Sequence, residues 1–225
     1  MNPTNSEKAM TEHIEILDKT FLDELREQRW DDHRFYHRSR VNQTFHLLSA
    51  CCFLTTYTLL FIHPTAAAIF GWVIAMWPRQ IGHFFFEPKG FDSVNGVSFE
   101  TKEEIKVGFN LQRKRILFLA WLSVPVALAL SHVLFGFFPA ITDLRSYLHQ
   151  LGEFWLALAA AGLLGRTIWL CATRNLQTGV VWFTKILTDP FHDIKIYCRA
   201  PIHLIRGEWF EPAHTTAWSG DEPRQ

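Results

Sequence analysis

Residues 41–78 read VNQTFHLLSACCFLTTYTLLFIHPTAAAIFGWVIAMWP, and none of these 38 residues is Asp, Glu, Lys or Arg. A second charge-free run of 27 residues covers 116–142. Soluble domains seldom carry such long runs, because their surface helices need a polar face. A helix rises about 1.5 Å per residue, so the first run reaches about 57 Å, or roughly two crossings of a ~30 Å hydrocarbon layer. The sequence predicts an all-α integral membrane protein.

The two runs hold three spans, and a further apolar stretch supplies a fourth, so the sequence predicts two transmembrane helical hairpins with about four spans in total. His63-Pro64 interrupts the first run, and a helix has to stop and turn there. The predicted spans are 44–62, 65–77 (continuing toward His83), 116–138 and 154–173. Pro125 is a kink site in the third span. Arg166 in the fourth has to reach the interface or meet a carboxylate. The alternative is a soluble bundle of buried helices.

The distribution of Lys and Arg predicts the orientation. These residues concentrate before the first span, between the second and third, and after the fourth, whereas the other two loops hold only Arg145. By the positive-inside rule, both termini and the loop 79–115 are cytoplasmic, in a bacterial inner membrane or the endoplasmic reticulum. We therefore divide the chain into an N-terminal segment (1–43), a four-span domain (44–173) and an interfacial C-terminal segment (174–225). Residues 21–36 predict a charged surface helix and 182–206 an interfacial amphipathic stretch.

Composition excludes some classes of function. Lys plus Arg and Asp plus Glu both number 22, so the formal net charge is zero. A nucleic-acid partner is not expected, since phosphate contacts need a basic surplus. The four cysteines show no CxxC spacing, which argues against a disulfide framework or a structural zinc site.

Two polar clusters stand where the arms of the first hairpin begin and end. His37, Asn42 and His46 have the spacing H-x4-N-x3-H, and Asn42 shares a helix face with His46. His37 can join them only if the helix bends or starts after it. His83 and Glu87, where the second arm ends, are again four residues apart on one face.

The hairpin predicts that these clusters meet at one membrane face. Three imidazoles and a carboxylate suit non-haem Fe(II), and also zinc or manganese. Gly82 would let a backbone or a ligand approach His83 closely. His192 is a further candidate ligand, or Asp193 could orient a ligating histidine from outside the coordination sphere. The alternative is that these residues are only interfacial polar side chains.

The two clusters resemble the 2-hydroxy fatty acid dioxygenase family. The resemblance covers about residues 32–88 and is carried by Tyr36-His37, the spacing to Asn42 and His46, and the run GHFFFE at 82–87. The chain departs from the family pattern after each motif, at 47–49 and at 88–90.

The resemblance implies an activity. The family is all-helical and membrane-embedded, and its reaction is the Fe(II)-dependent α-oxidation in which O2 shortens a 2-hydroxy fatty acid by one carbon. On that resemblance His37, His46 and His83 hold iron, and Glu87 is a ligand or a nearby base. Asn42 orients a ligand or the substrate carboxylate. The acyl chain lies among the apolar hairpin residues, as a membrane lipid would, and Arg38, Arg40 or Arg79 attracts the carboxylate.

The sequence leaves three alternative functions. A membrane di-iron hydroxylase or desaturase needs about eight histidines in HxxxH and HxxHH boxes, and the chain has one HxxxH and no HxxHH. A haem-binding bundle would use two facing histidines as axial ligands. A non-enzymatic membrane scaffold or lipid-binding protein would use the histidines structurally.

Overall fold

The computed structural model describes residues 19–108, 110–130 and 140–212, and within these ranges the regular secondary structure is helical. The helices are α1 (Phe21–Tyr36), α2 (Arg40–Ile62), α3 (Pro64–Phe70), α4 (Met76–Ile81), α5 (Phe99–Ile105), α6 (Leu111–Leu130), α7 (Leu144–Thr173), α8 (Leu176–Tyr197) and α9 (Ala200–Ile205). Two π-helical segments, π1 (Gly71–Ala75) and π2 (Gly82–Phe86), follow α3 and α4 without a break. The all-α prediction is confirmed.

Among the described residues, two helices are long and apolar enough to cross a membrane, namely α2 and α7. Few of their side chains are buried, and some are largely exposed, including Phe61 at 89% and Ile168 at 67%. The core helix of a soluble protein would bury such residues. Length, composition and exposure thus favour a membrane protein, and the four-span topology stays a prediction.

The other two predicted spans take different forms. The helical path from Pro64 to Phe86 is continuous, but the two π segments divide it into short helices. Helix α6 is described as far as Leu130, and residues 131–138 of the predicted third span lie outside the described residues. Helix α7 begins at Leu144, before the predicted position 154, because Asp143 and Ser146 form a capping box that starts it among polar residues.

Three tryptophans from three segments make the centre of the apolar core. Trp72 on π1 lies 4.3 Å from Trp121 on α6 and 5.9 Å from Trp155 on α7, measured between ring centroids. Pro125 has no N–H, so the carbonyl of Trp121 lacks its usual helical partner. The indole Nε1–H of Trp155 donates to that carbonyl at 3.2 Å. The proline within α6 thus creates a hydrogen bond that joins α6 to α7.

The N-terminal helix agrees with the sequence prediction. Helix α1 covers Phe21–Tyr36 and begins with Thr20, whose side chain accepts from the N–H of Asp23. It lies against α8 through ion pairs, because Lys185 contacts Asp32 and Arg29 contacts Asp189.

The predicted cytoplasmic loop 79–115 is largely helical, and only 87–98 and 106–110 separate its helices among the described residues. Arg166 of α7 holds the second of these connections. Its Nη2 donates to the carbonyl oxygens of Val107 and Gly108 at 2.5 and 3.4 Å. Arg166 therefore binds backbone carbonyls, where the sequence led us to expect the interface or a carboxylate.

Candidate metal centre

Three histidines from three segments meet at one buried point. His37 precedes α2, His46 lies on its second turn, and His83 lies on π2. The ring centroids are 4.0 Å apart for His37 and His46, 4.8 Å for His46 and His83, and 5.4 Å for His37 and His83. One nitrogen from each ring lies within 4.8 Å of the other two. The predicted convergence of the two arms is confirmed.

The start of α2 places the first two histidines. The Ser39 side chain caps the helix, so the chain turns between His37 and His46 instead of carrying them on opposite helix faces. Two buried amides hold that turn, since Asn42 Nδ2 donates to the carbonyl of Tyr36 at 2.9 Å and Gln43 Nε2 donates to that of His37 at 2.7 Å. Helix α2 therefore starts after His37, which is one of the two ways in which residues nine apart can meet.

A glycine brings the third histidine close. A Cβ built on Gly82 would lie 2.1 Å from Oδ1 of Asn42 and 3.6 Å from Cδ2 of His46. Only a residue without a side chain allows π2 to approach α2 so closely. The sequence predicted a close approach at Gly82, and the approaching group is the Asn42 side chain. Single π turns inside helices often occur at functional sites.

Each imidazole has a partner for its Nδ1 atom. His83 Nδ1 lies 3.1 Å from Oε2 of Glu87. His46 Nδ1 lies 3.4 Å from Oδ2 of Asp193. His37 Nδ1 lies 3.0 Å from the hydroxyl of Tyr197. In metal sites, such outer partners fix the tautomer and the orientation of the ligating rings.

The opposite nitrogens fit a metal ion. Nε2 of His37 and Nε2 of His46 are buried and have no hydrogen-bond partner among the described residues. Buried nitrogens are seldom left without a partner, so this pair indicates a ligand. Burial, reinforced by the neighbouring His46, holds the pKa of His37 well below its usual value, which keeps the ring in the neutral form that binds metals. Imidazole nitrogens suit first-row metals such as iron and zinc.

Charged side chains surround the three rings. Lys106 and Lys114 both approach Glu87, at 3.8 and 3.9 Å. Burial, together with the positive charge of Lys106, lowers the pKa of Lys114 to about 7 despite Glu87. Burial opposes the ionisation of Asp32, but Lys185 and Lys106 hold its pKa far below the usual range. The site thus keeps two largely buried lysine side chains beside a cluster that could hold a metal ion.

The remaining predicted site residues have other positions. Glu87 is not in the group that can share one ion, and instead it holds the ring of His83. Asn42 lies between the Tyr36 carbonyl and Gly82. His192, the fourth predicted ligand, is not in the group either. Its neighbour Asp193 contacts His46, which is the outer role that the sequence left open.

A cavity of about 420 Å³ begins at this cluster, with His37, His83, Lys106 and Lys114 in its wall. The wall also contains charged residues such as Asp32, Arg79, Lys185 and Asp189, but it is mostly apolar and includes the three core tryptophans. Ligand pockets typically measure about 300–1,000 Å³ and combine apolar walls with a few polar groups. The site can therefore hold an amphiphile whose polar end lies at the histidines.

Sequence reasoning missed the two lysines and Tyr197. A signal for Tyr197 was present, because Lys185, Asp189, Asp193 and Tyr197 follow one another at intervals of four residues. This spacing puts them on one face of a helix, and all four are buried on α8. A polar stripe on the inner face of an amphipathic helix indicates a site. The lysines follow no such spacing.

Comparison of the chain with protein-family models, curated proteins and solved structures found no match.

Proposed function

We propose that the protein is an Fe(II)-dependent dioxygenase that shortens 2-hydroxy fatty acids by one carbon at a membrane interface. The observation that carries the proposal is the buried cluster of His37, His46 and His83 at the head of an apolar cavity. The cluster supplies ligands for the metal, and the cavity supplies space for an acyl chain. The motif resemblance at 32–88 supplies the reaction.

The reaction balances without an outside reductant. A 2-hydroxy acid and O2 give the acid one carbon shorter, CO2 and water. The four electrons that O2 takes up come from the hydroxyl-bearing carbon and the lost carboxyl group. Bound Fe(II) supplies the redox chemistry that O2 requires, and three protein ligands leave coordination positions for substrate and O2.

The protein's own residues bind and orient the substrate. Lys106 and Lys114 attract the carboxylate, since both line the cavity beside the histidines. Of the arginines considered from the sequence, Arg38 faces Asp92 and Arg40 faces Glu211. Arg79 lines the cavity but contacts Asp193 at 3.3 Å. The apolar walls bind the chain and keep water away from the reacting carbon.

Metal analysis and product analysis test the proposal together. Detergent-purified protein loaded anaerobically with Fe(II) should hold one iron per chain and convert 2-hydroxypalmitate under air to pentadecanoic acid, detected by mass spectrometry. His46→Ala and His83→Ala should lose both the iron and the product. His149→Ala is the matched control, because His149 is exposed and contacts Glu153 at 3.4 Å, away from the cluster.

Several results would count against the proposal. Bound iron without the shorter acid would overturn the reaction but leave the metal site standing. Wild-type activity in the His83→Ala variant would overturn both. A Soret band in the purified protein would favour a haem-binding bundle, and protein without metal would favour a scaffold. Palmitate without the hydroxyl should not react, because a 2-hydroxy acid offers two oxygen ligands and palmitate lacks one.

A further inference from the structure

Three hydrogen bonds connect Glu211, which lies after α9, to His37 of the cluster. Oε2 of Glu211 lies 2.9 Å from Nε2 of His33. Nδ1 of His33 lies 3.2 Å from the hydroxyl of Tyr197, which lies 3.0 Å from Nδ1 of His37. The side chains of Glu211 and His33 are 14% exposed, whereas Tyr197 is 1% exposed. These hydrogen bonds therefore connect a solvent-touching carboxylate to a buried ligand.

A metal on Nε2 of His37 leaves the donors and acceptors of these hydrogen bonds one consistent arrangement. Nδ1 of His37 then carries the hydrogen of the neutral ring and donates to the oxygen of Tyr197. The single hydroxyl hydrogen of Tyr197 therefore points to Nδ1 of His33, which accepts it. Nε2 of His33 donates to the carboxylate of Glu211.

Backbone hydrogen bonds hold Glu211 in the position that this arrangement needs. The N–H of Glu211 donates to the carbonyl of Arg38 at 3.0 Å, and the N–H of Arg40 donates to that of Trp209 at 2.9 Å. Gln43 joins both sides, since its Nε2 contacts Oε2 of Glu211 at 3.0 Å and the carbonyl of His37 at 2.7 Å. The backbone on either side of the α2 cap thus holds Glu211 in place.

We infer that Glu211, His33 and Tyr197 are positioning residues that fix the tautomer and the ring orientation of His37, which makes the stretch after α9 (206–212) part of the metal centre. The inference rests on the proposed function only in that a metal binds the three histidines. His46 and His83 each have a carboxylate directly at Nδ1. Nδ1 of His37 instead faces the phenol of Tyr197. The carboxylate of Glu211 is reached only through Tyr197 and His33.

Cobalt binding tests the inference without enzymatic turnover. Apo protein in detergent is titrated with Co(II), whose visible absorption reports ligand number and geometry. Tyr197→Phe should weaken Co(II) binding by about 10- to 100-fold, as loss of an outer partner does, and alter the spectrum. Tyr147→Phe is the matched control, because its hydroxyl donates to the carbonyl of Pro125 at 2.9 Å, outside the cluster. It should bind Co(II) like wild type.

Two variants farther along these hydrogen bonds complete the test. His33→Ala and Glu211→Ala should weaken Co(II) binding by successively smaller factors, with apo thermal midpoints near that of wild type. Wild-type affinity in Tyr197→Phe would overturn the inference while the metal site stands. Wild-type affinity in Glu211→Ala would overturn the part assigned to residues 206–212, and it decides the question if Tyr197→Phe does not fold. Wild-type protein that binds no Co(II) would instead remove the metal site itself.

Discussion

At the scale of single residues, the cluster depends on a contact between a glycine and an asparagine. Asn42 is fully buried, its amide nitrogen is fixed on the Tyr36 carbonyl, and its Oδ1 has no hydrogen-bond partner among the described residues. That oxygen lies where a Cβ on residue 82 would be. The approach of His83 to His46 therefore has almost no tolerance for added volume.

We expect Gly82→Ala to weaken metal binding strongly. The new Cβ would be 2.1 Å from Oδ1 of Asn42, so π2 or the asparagine has to move, and His83 moves with π2. Overpacking of this kind typically costs about 1–3 kcal/mol of stability. Co(II) titration and thermal unfolding in detergent measure the two effects.

The double variant Asn42→Ala, Gly82→Ala distinguishes the clash from other causes. Removing the asparagine side chain costs its hydrogen bond to Tyr36, about 1 kcal/mol, but it makes room for the new methyl group. The double variant should bind metal better than Gly82→Ala alone. Additive losses would show that the two side chains do not interfere with one another.

Sequence spacing predicted these contacts to different degrees. Asn42 and His46 share a helix face, and the i, i+4 pairing of His83 with Glu87 is present although the helix ends at Phe86. The hairpin brought His37 and His83 together as expected. The outer partners Tyr197 and Glu211 could not be predicted, because their positions depend on how α8 and the C-terminal segment pack across residues far apart in sequence.

At the scale of helices, two of the three glycines of α7, Gly162 and Gly165, have different surroundings. Gly162 lines the cavity, whereas Gly165 is exposed and does not. A Cβ on either residue would meet no other atom within 4 Å. The pair therefore allows volume to be added inside and outside the cavity at two positions of the same helix.

We expect Gly162→Phe to select against long substrates. The added ring narrows the space for the acyl chain without a backbone clash, so the kcat/KM for 2-hydroxypalmitate should fall at least about tenfold relative to 2-hydroxyoctanoate. Iron content should not change, since the substitution is away from the ligands. Gly165→Phe should leave the ratio as in wild type. Equal losses for both substrates, or the same shift in both variants, would contradict a chain-binding cavity.

The helix pattern was predictable where apolar runs and caps agree. Helix α1 coincides with its prediction, and α2 extends from the Ser39 cap to the break at His63-Pro64. The π segments could not be predicted, because they depend on packing partners such as Asn42 against Gly82 and Thr56 against Gly71. The early start of α7 was missed because hydropathy hides a helix whose first turns are polar.

At the scale of the whole molecule, the described contacts define two ends. At one end His37 contacts Tyr197, and Lys106 lines the same cavity as His37 and His83. At the other end the start of α3 packs against the early part of α7, because a Cβ on Gly152 would lie 2.7 Å from the carbonyl oxygen of Thr65. The Lys/Arg asymmetry predicts that these two ends lie on opposite sides of a membrane.

Cysteine labelling from each side of sealed vesicles tests this topology. In a background whose four native cysteines are replaced by alanine, single cysteines at the exposed positions Ser93 and Arg174 should label from the cytoplasmic side. Cysteines at the exposed positions His63 and Thr142 should label from the other side. Helix α2 connects the cluster to His63 and spans about 35 Å at 1.5 Å per residue, enough to cross the hydrocarbon layer. If His63 and Ser93 label from the same side, α2 does not cross, and the cavity would then face a single leaflet from a protein lying on the membrane surface.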